Sequence, residues 1–441
     1  MNLIHLLYLS TGAIVAVLLE LFVLTSLREE QLRAAVLSST AFILFALLWF
    51  GTYFIIHPPD FILISGPVII AVCLLLFYLP LGSGKKLHIG KQERRVDERD
   101  VIFSREEYTP GSDKYEQYYS TRPEYKDIDD RMRKLPELLA PGGKYYHPQR
   151  SPYTDAVFET IRSLTTKVDG DISPNQITLD ADSTTRLIKE VVLAAGASEV
   201  GIARLNPMYV YSHVGRGPEK WGQPIENNHR FAIVFTLEMD YEQVSDAPRL
   251  GITEESALQY LRGAQISIAL ARYIRSLGYP ARAHISGSNY QIMLPPVAHD
   301  AGLGELGRIG YLISPKYGPR IRLGAVTTDL PLTPDRPISF GVQNFCEKCL
   351  KCAANCPSAA IPSDNKTSIR GVDKWQLDIE KCLHYWRAIG TDCGLCMKVC
   401  PYSHPPTFVH NLVRYGIRRS PFARTLSVWG DNLLYGKKIR Y

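Results

Sequence analysis

The 441-residue sequence predicts an α/β domain set between three N-terminal helices of membrane-spanning length and a C-terminal cysteine-rich segment. Three observations carry that reading. The chain opens with three long apolar runs, strand and helix patterns alternate from about residue 180, and eight of the nine cysteines fall between Cys346 and Cys400.

The apolar runs cover residues 3–26, 34–56 and 61–81. Each is long enough for the ~20 residues that cross a bilayer as a helix. A cleaved signal peptide has one shorter apolar core, so three such runs argue against it. Buried core helices would be the alternative, but a connection as short as "HPPD" favours an array of membrane hairpins. Orientation follows from the basic residues in the short flanks. "LREEQLR" carries Arg28 and Arg33, and "GSGKKLHIGKQERR" carries Lys85, Lys86, Lys91, Arg94 and Arg95. The start of the chain and "HPPD" carry no Lys or Arg. This bias puts the N-terminus outside and the rest of the chain on the cytoplasmic face of the inner membrane, as a multi-pass protein. His5 and Glu20 fall inside the first run, where ionisable groups are costly. A snorkelling or inter-helix hydrogen bond is expected there before a contact to a quinone.

Residues 96–150 are rich in tyrosine and proline with few apolar runs, and read as extended coil draped over a core. Beyond them, "IKEVVLAAGASEVGIARL" reads as helix then strand and "FAIVFTLEM" as a strand. "SALQYLRGAQISIALARYIRSLG" reads as a long amphipathic helix and "RLGAVTTDLPL" as another strand. The expected organisation is a membrane anchor (1–84), a juxtamembrane and extended region (85–179), an α/β core (180–338), a cysteine segment (339–405) and a C-terminal tail (406–441). Net charge is +6, with basic residues gathered near the anchor and in the tail, which suits anionic headgroups as well as any nucleic acid.

Nine cysteines in this length are too few for a disulfide-stapled scaffold. "CEKCLKCAANCP" reads C-x2-C-x2-C-x3-C-P, the spacing of bacterial ferredoxins, in which the fourth cysteine ligates the other [4Fe–4S] cluster. The second group, "CLHYWRAIGTDCGLCMKVCP", keeps C-x2-C-x3-C-P and moves its first cysteine back to Cys382. Crossing the fourth ligands gives cluster one Cys346, Cys349, Cys352 and Cys400, and cluster two Cys382, Cys393, Cys396 and Cys356. Paired structural zinc sites also use C-x2-C, but two C-x3-C-P tails in tandem are hard to explain that way. Cys73 lies in an apolar run and reads as an inert core or lipid-facing residue.

These stretches, together with "RPEYKDIDDRMRKLPELLAPGGKYYHPQRSP", "EMDYEQVSDAP" and "YIRSLGYPARAHISGSNYQIMLPPVAHDAGLGELGRIGYLISPKYGPRIRLGAVTTDLPL", carry a resemblance. The chain resembles the reductive dehalogenases, corrinoid and iron–sulfur enzymes that remove halogens from organohalides, from about residue 96 onward. The resemblance implies a nitroreductase-like corrinoid-binding core, two [4Fe–4S] clusters and a cobalamin bound base-off. It also implies an organohalide substrate and a quinol pool or another low-potential reductant as electron donor, as in organohalide respiration. Respiratory members carry a twin-arginine export signal and pair with a separate small anchor. Here no twin-arginine pair lies near the start, and the anchor is fused. No nucleic-acid partner is expected, and the oligomeric state is left open. A histidine ligand below cobalt is commonly announced by D-x-H-x-x-G; the nearest string, "YSHVGRG", has Tyr211 where the aspartate is needed.

By position in the family's motifs, the resemblance places the proton donor at Tyr260 in "SALQYLRGAQ", the cation beside it at Arg322 in "GPRIRLGAV" and a polar residue near the halide at Asn289. Tyr241 and Arg320 compete for the first two roles. Ser286, Gly287 and Ser288 in "SGSNY", with Gly302 and Gly304 in "DAGLGELG", would let backbone approach a corrin ring, although tight turns also explain such glycines. Two other functions stay open at this stage. An epoxyqueuosine-reductase-like enzyme acting on tRNA shares corrinoid, core and clusters but is normally soluble. A non-catalytic membrane electron-transfer subunit would have no need of the long α/β core.

Overall fold

The computed structural model describes residues 3–82, 84–286 and 290–439. It divides into two compact units: Met1–Lys86, Ser339–Lys351 and His404–Arg440 form one, Leu87–Ile338 and Cys352–Ser403 the other.

The first unit holds three helices long and apolar enough to cross a membrane, Leu3–Arg28, Leu32–Ile56 and Asp60–Tyr78. Their outward faces carry bare aliphatic side chains such as Ile14, Leu47, Leu48, Ile69 and Leu75. A helix satisfies its own backbone hydrogen bonds, so such a surface suits lipid. Cys73 is exposed among them, and Glu20 is exposed on the first helix. Small residues let the helices close: a Cβ on Gly12 or Gly66 would collide with the Trp49 indole. Trp49 stacks on Tyr8 with centroids 4.3 Å apart, and His5 Nδ1 lies 3.0 Å from the Tyr53 hydroxyl, an inter-helix hydrogen bond.

The segment expected as a basic tail folds into two helices, Phe408–Arg419 and Pro421–Tyr435, with Thr407 and Ser420 as their N-caps. Ser420 Oγ also donates to the Leu76 carbonyl at 2.7 Å, and Arg33 Nε to that of Leu433 at 3.1 Å. The tail is thereby fastened to the apolar helices.

The second unit is built on a four-stranded sheet in the order Glu199–Arg204, Phe231–Glu238, Ile321–Thr328, Ala281–His284. Every pairing is antiparallel. Side chains alternate between its faces along a strand. Ile233, Phe235 and Leu237 pack with Ile188, Leu270 and Ile274 from the helices Ala181–Ala194 and Leu250–Ser276. Ala232, Val234 and Ala325 meet Val297 and Ala298 from the helix Leu294–Asp300 on the other face. Burial on both faces explains why "FAIVF", residues 231–235, is apolar without interruption. Phe235 pairs with Gly324, and a Cβ there would lie 2.4 Å from the phenyl ring.

Residues 96–150 depart from the expected coil. They form the helices Ile102–Glu106, Asp113–Thr121 and Lys126–Met132. Tyrosine supplies their core: Tyr108, Tyr115, Tyr118 and Tyr119 cluster together, with Trp221 against them. Arg105, fully buried, is held by Glu380 at 2.6 Å and Asp129 at 3.7 Å. The amphipathic pattern is faint because phenols and ion pairs replace aliphatic side chains.

Candidate active site and cluster site

The N-terminal part of the helix Leu250–Ser276 presents Thr253, Ser256 and Tyr260 at spacings of three and four, which places them on one face. That face meets Arg322 from the sheet and Asp392 from the loop that carries Cys393. Thr253 and Ser256 donate to the two oxygens of Asp392 at 2.8 and 2.7 Å. Arg322 donates to Ser256 Oγ at 2.6 Å and to Asp392 at 3.3 Å. Its guanidinium carbon lies 5.2 Å from the centre of the Tyr260 ring. Burial opposes the arginine's charge, but Tyr260, Asp392, Tyr311 and Tyr290 around it hold its pKa above the ordinary value.

Tyr290 and Tyr311 face the same place. Burial raises both phenols, and the charges felt by each include Tyr260 and Arg322. Tyr311 also feels Cys396 and Cys382. Both tyrosines and Tyr260 nevertheless keep some accessible surface, as residues lining a recess do. Arg322 Nε is buried with no hydrogen-bond partner among the described residues. An unpaired buried donor is costly, so this atom calls for a bound group in the recess.

The competing pair is placed differently. Arg320 is fully buried, 5.6 Å from the Tyr241 ring, and is engaged by the Ser403 carbonyl at 2.5 Å and by Glu238 at 3.3 Å. These bonds fix backbone and leave little for a bound molecule.

Cys356, Cys382, Cys393 and Cys396 lie in one electrostatic neighbourhood. Burial pushes Cys382 and Cys393 up to about 12 and Cys396 well above a normal thiol, and thiols from the same set push each further. Four buried and half-buried thiols gathered in this way fit a cluster whose iron supplies the positive charge. The Ala360 amide donates to Cys356 Sγ at 3.3 Å, a bond that favours a thiolate. In the first unit, Cys346 and Cys349 lie on the helix Val342–Cys349, and burial pushes Cys349 up to about 12. Grouping them with Cys352 and Cys400 rests on the motif spacing.

Ser286 sits in the turn after the strand Ala281–His284. Gly287, Ser288 and Asn289 lie outside the described residues. Gly302 and Gly304 serve the chain's own packing: a Cβ on Gly302 would lie 2.7 Å from the Arg336 carbonyl oxygen, and one on Gly304 2.2 Å from that of Ile313. Motif reading missed Ser256, Tyr290, Tyr311 and Asp392. The one signal for Asp392 was its place directly before Cys393.

Residues 345–404 match the 4Fe-4S dicluster domain. The tetrachloroethene reductive dehalogenase of Sulfurospirillum multivorans is 34% identical over 296 residues, 59% of this chain and 58% of that protein. That of Desulfitobacterium hafniense is 32% identical, over 53% of this chain and 50% of that protein. Among solved structures, the catabolic reductive dehalogenase NpRdhA in complex with 3-bromo-4-hydroxybenzoic acid superposes with a TM-score of 0.66. It is 27% identical, over 80% of this chain and 48% of that one. The chain thus spans about half the length of the relatives it matches.

In chain order, an α/β core thus precedes a segment that matches the dicluster domain. The chain is similar to reductive dehalogenases in sequence and in fold, and its cysteine segment matches a 4Fe-4S dicluster domain.

Proposed function

We propose that this chain is a membrane-anchored reductive dehalogenase that replaces halogen by hydrogen on an organohalide. Two electrons and one proton enter for each carbon–halogen bond broken, and one halide ion leaves. The observation that carries the reading is Arg322 set between Tyr260 and Asp392, with its Nε unpaired and Cys393 next in the chain to Asp392. The crossed cysteine sets would hold two [4Fe–4S] clusters, which would supply the electrons. A corrinoid, when bound, would supply the low-potential chemistry at the carbon–halogen bond. Tyr260, Tyr290, Tyr311 and Arg322 are the residues that would hold it and the substrate.

The chain's own part is the proton. Tyr260 carries it on its hydroxyl. As the carbon takes that proton, the phenolate is paired by Arg322, because an unpaired anion in a buried site would be costly. Asn289 is assigned to hold the halide end of the substrate, and Ser286–Ser288 with Gly302 and Gly304 to border the corrinoid. The basic flanks of the apolar helices support a cytoplasmic catalytic domain, served by a quinol pool or a soluble low-potential reductant.

Metal content tests this reading against its two rivals. Purified protein should hold about one cobalt and about eight iron per chain. Iron without cobalt would point to an electron-transfer subunit. Cobalt and iron with turnover of epoxyqueuosine in a tRNA stem-loop, and none of organohalides, would point to the tRNA enzyme.

A further inference from the structure

Within the first unit, the connection between the first two apolar helices buries a carboxylate, Glu29, which is 6% exposed. Two histidines from the C-terminal part of the chain close on it. His404 Nδ1 lies 3.1 Å from Glu29 Oε2, and His410 Nε2 lies 2.7 Å from Oε1. The two imidazoles are stacked, with centroids 4.5 Å apart and planes 16° from parallel. One donor atom from each of the three residues lies within 4.8 Å of the others. None of the three is a cysteine or one of the residues around Arg322, and His404 is the last residue of the stretch that matches the dicluster domain.

The surroundings are built as they are around ligating histidines. A histidine that binds metal through one ring nitrogen usually donates the other N–H to a carboxylate, which fixes its tautomer and orientation. His404 Nε2 faces Asp431 Oδ1 at 3.6 Å, and Asp431 Oδ2 is anchored by Lys351 Nζ at 2.5 Å. The Phe22 ring stands edge-on to His410 with centroids 6.3 Å apart, and Tyr435 packs on His404 at 4.3 Å. These rings exclude water.

We propose that Glu29, His404 and His410 bind one divalent transition metal, zinc by ligand type, with Asp431 orienting His404 from behind. Two imidazole nitrogens and one carboxylate are an established zinc donor set. The ion would clamp the C-terminal helices to the connection between the first two apolar helices. Without it, the same groups form a hydrogen-bonded knot only.

The experiment uses the full-length protein in detergent, with its iron and cobalt in place, dialysed against a chelator and then titrated with zinc. About one zinc per chain is expected in the wild type. Glu29→Gln and His410→Ala should each lower zinc occupancy at least tenfold with iron and cobalt unchanged. Asp431→Asn should weaken zinc affinity about 10- to 100-fold, the usual effect of losing an outer partner. No zinc uptake by the wild type, or full zinc in both ligand variants, would overturn the proposal. X-ray absorption at the zinc edge gives a reading that does not depend on how the variants fold. Nitrogen and oxygen neighbours at about 2.0–2.2 Å support the site, and a shell of sulfur at about 2.3 Å would assign the zinc to cysteines and refute it.

Discussion

Arg322 holds its guanidinium over the face of the Tyr260 ring, 5.2 Å from the centroid, while bonding Ser256 one helical turn earlier. Asp392 accepts from Arg322 and from two residues of the same helix face, so it ties the arginine to the loop of Cys393. The result is a cation whose position is fixed by hydrogen bonds to Ser256 and Asp392 before any substrate arrives. Such preorganisation lets a charge created in turnover be met without rearrangement.

Tyr260→Phe keeps the ring and removes only the hydroxyl. Iron and cobalt content should be unchanged, while turnover should fall by about 10²- to 10⁴-fold, the usual contribution of a general acid. Arg322→Leu should also slow the reaction. Because both residues act on one charge, the double variant should lose less than the product of the single losses. A near-normal rate for Tyr260→Phe would transfer the role to Tyr241.

Cys393→Ser removes one assigned ligand of the second cluster. Iron should drop from about eight to about four atoms per chain, and turnover with a chemical reductant should vanish. The apolar helices share no ligand with this cluster, so the variant should still fractionate with membranes. A full iron complement would show that the crossed ligand assignment is wrong.

Much of this arrangement was legible in the residues, and the reasons differ by region. The apolar helices announce themselves because lipid demands uninterrupted apolar surface, and the cysteines because iron fixes their spacing. The strand Phe231–Glu238 was readable from burial on both faces. By contrast, the helices between Ile102 and Met132 are packed through phenols, Trp221 and ion pairs, which erases the apolar period that marks a helix. Tyr290, Tyr311 and Asp392 come from separate loops, and only the folded chain brings them to Arg322. Glu29 is separated from His404 and His410 by most of the sequence, and the three form no motif.

A buried histidine, His284, and a half-buried one, His229, give the second unit an acid-side weakness. His284 Nε2 and His229 Nδ1 both meet the Thr327 hydroxyl, at 2.9 and 2.8 Å. The Gln291 amide donates to His284 Nδ1 at 3.3 Å, so His284 donates from Nε2, and the threonine proton goes to His229. Both rings are therefore neutral, and burial holds both pKa values below the ordinary 6.5. Below that value the unfolded chain takes up protons that the folded chain refuses, so stability falls as pH drops. The apparent melting temperature should decrease between about pH 7.5 and pH 5.5, and His284→Gln should shrink that decrease. Equal losses in both proteins would assign the acid sensitivity elsewhere.

Membrane orientation is tested by fusing a reporter that works only after export behind the C-terminus. The basic flanks predict that it stays silent. A reporter of the opposite kind, active only in the cytoplasm, should be active. Reversed signals would move the catalytic unit to the other face.

Halide release tests the central claim most directly. The holoprotein, with a reduced low-potential dye as electron source, is offered chlorinated alkenes and brominated aromatics in turn, and halide and dehalogenated product are counted together. For at least one compound, one halide ion should appear for each carbon–halogen bond replaced and for each two electrons drawn from the dye, with the signal lost in Tyr260→Phe. Protein loaded with about eight iron and about one cobalt that releases no halide from any member of both classes would contradict it.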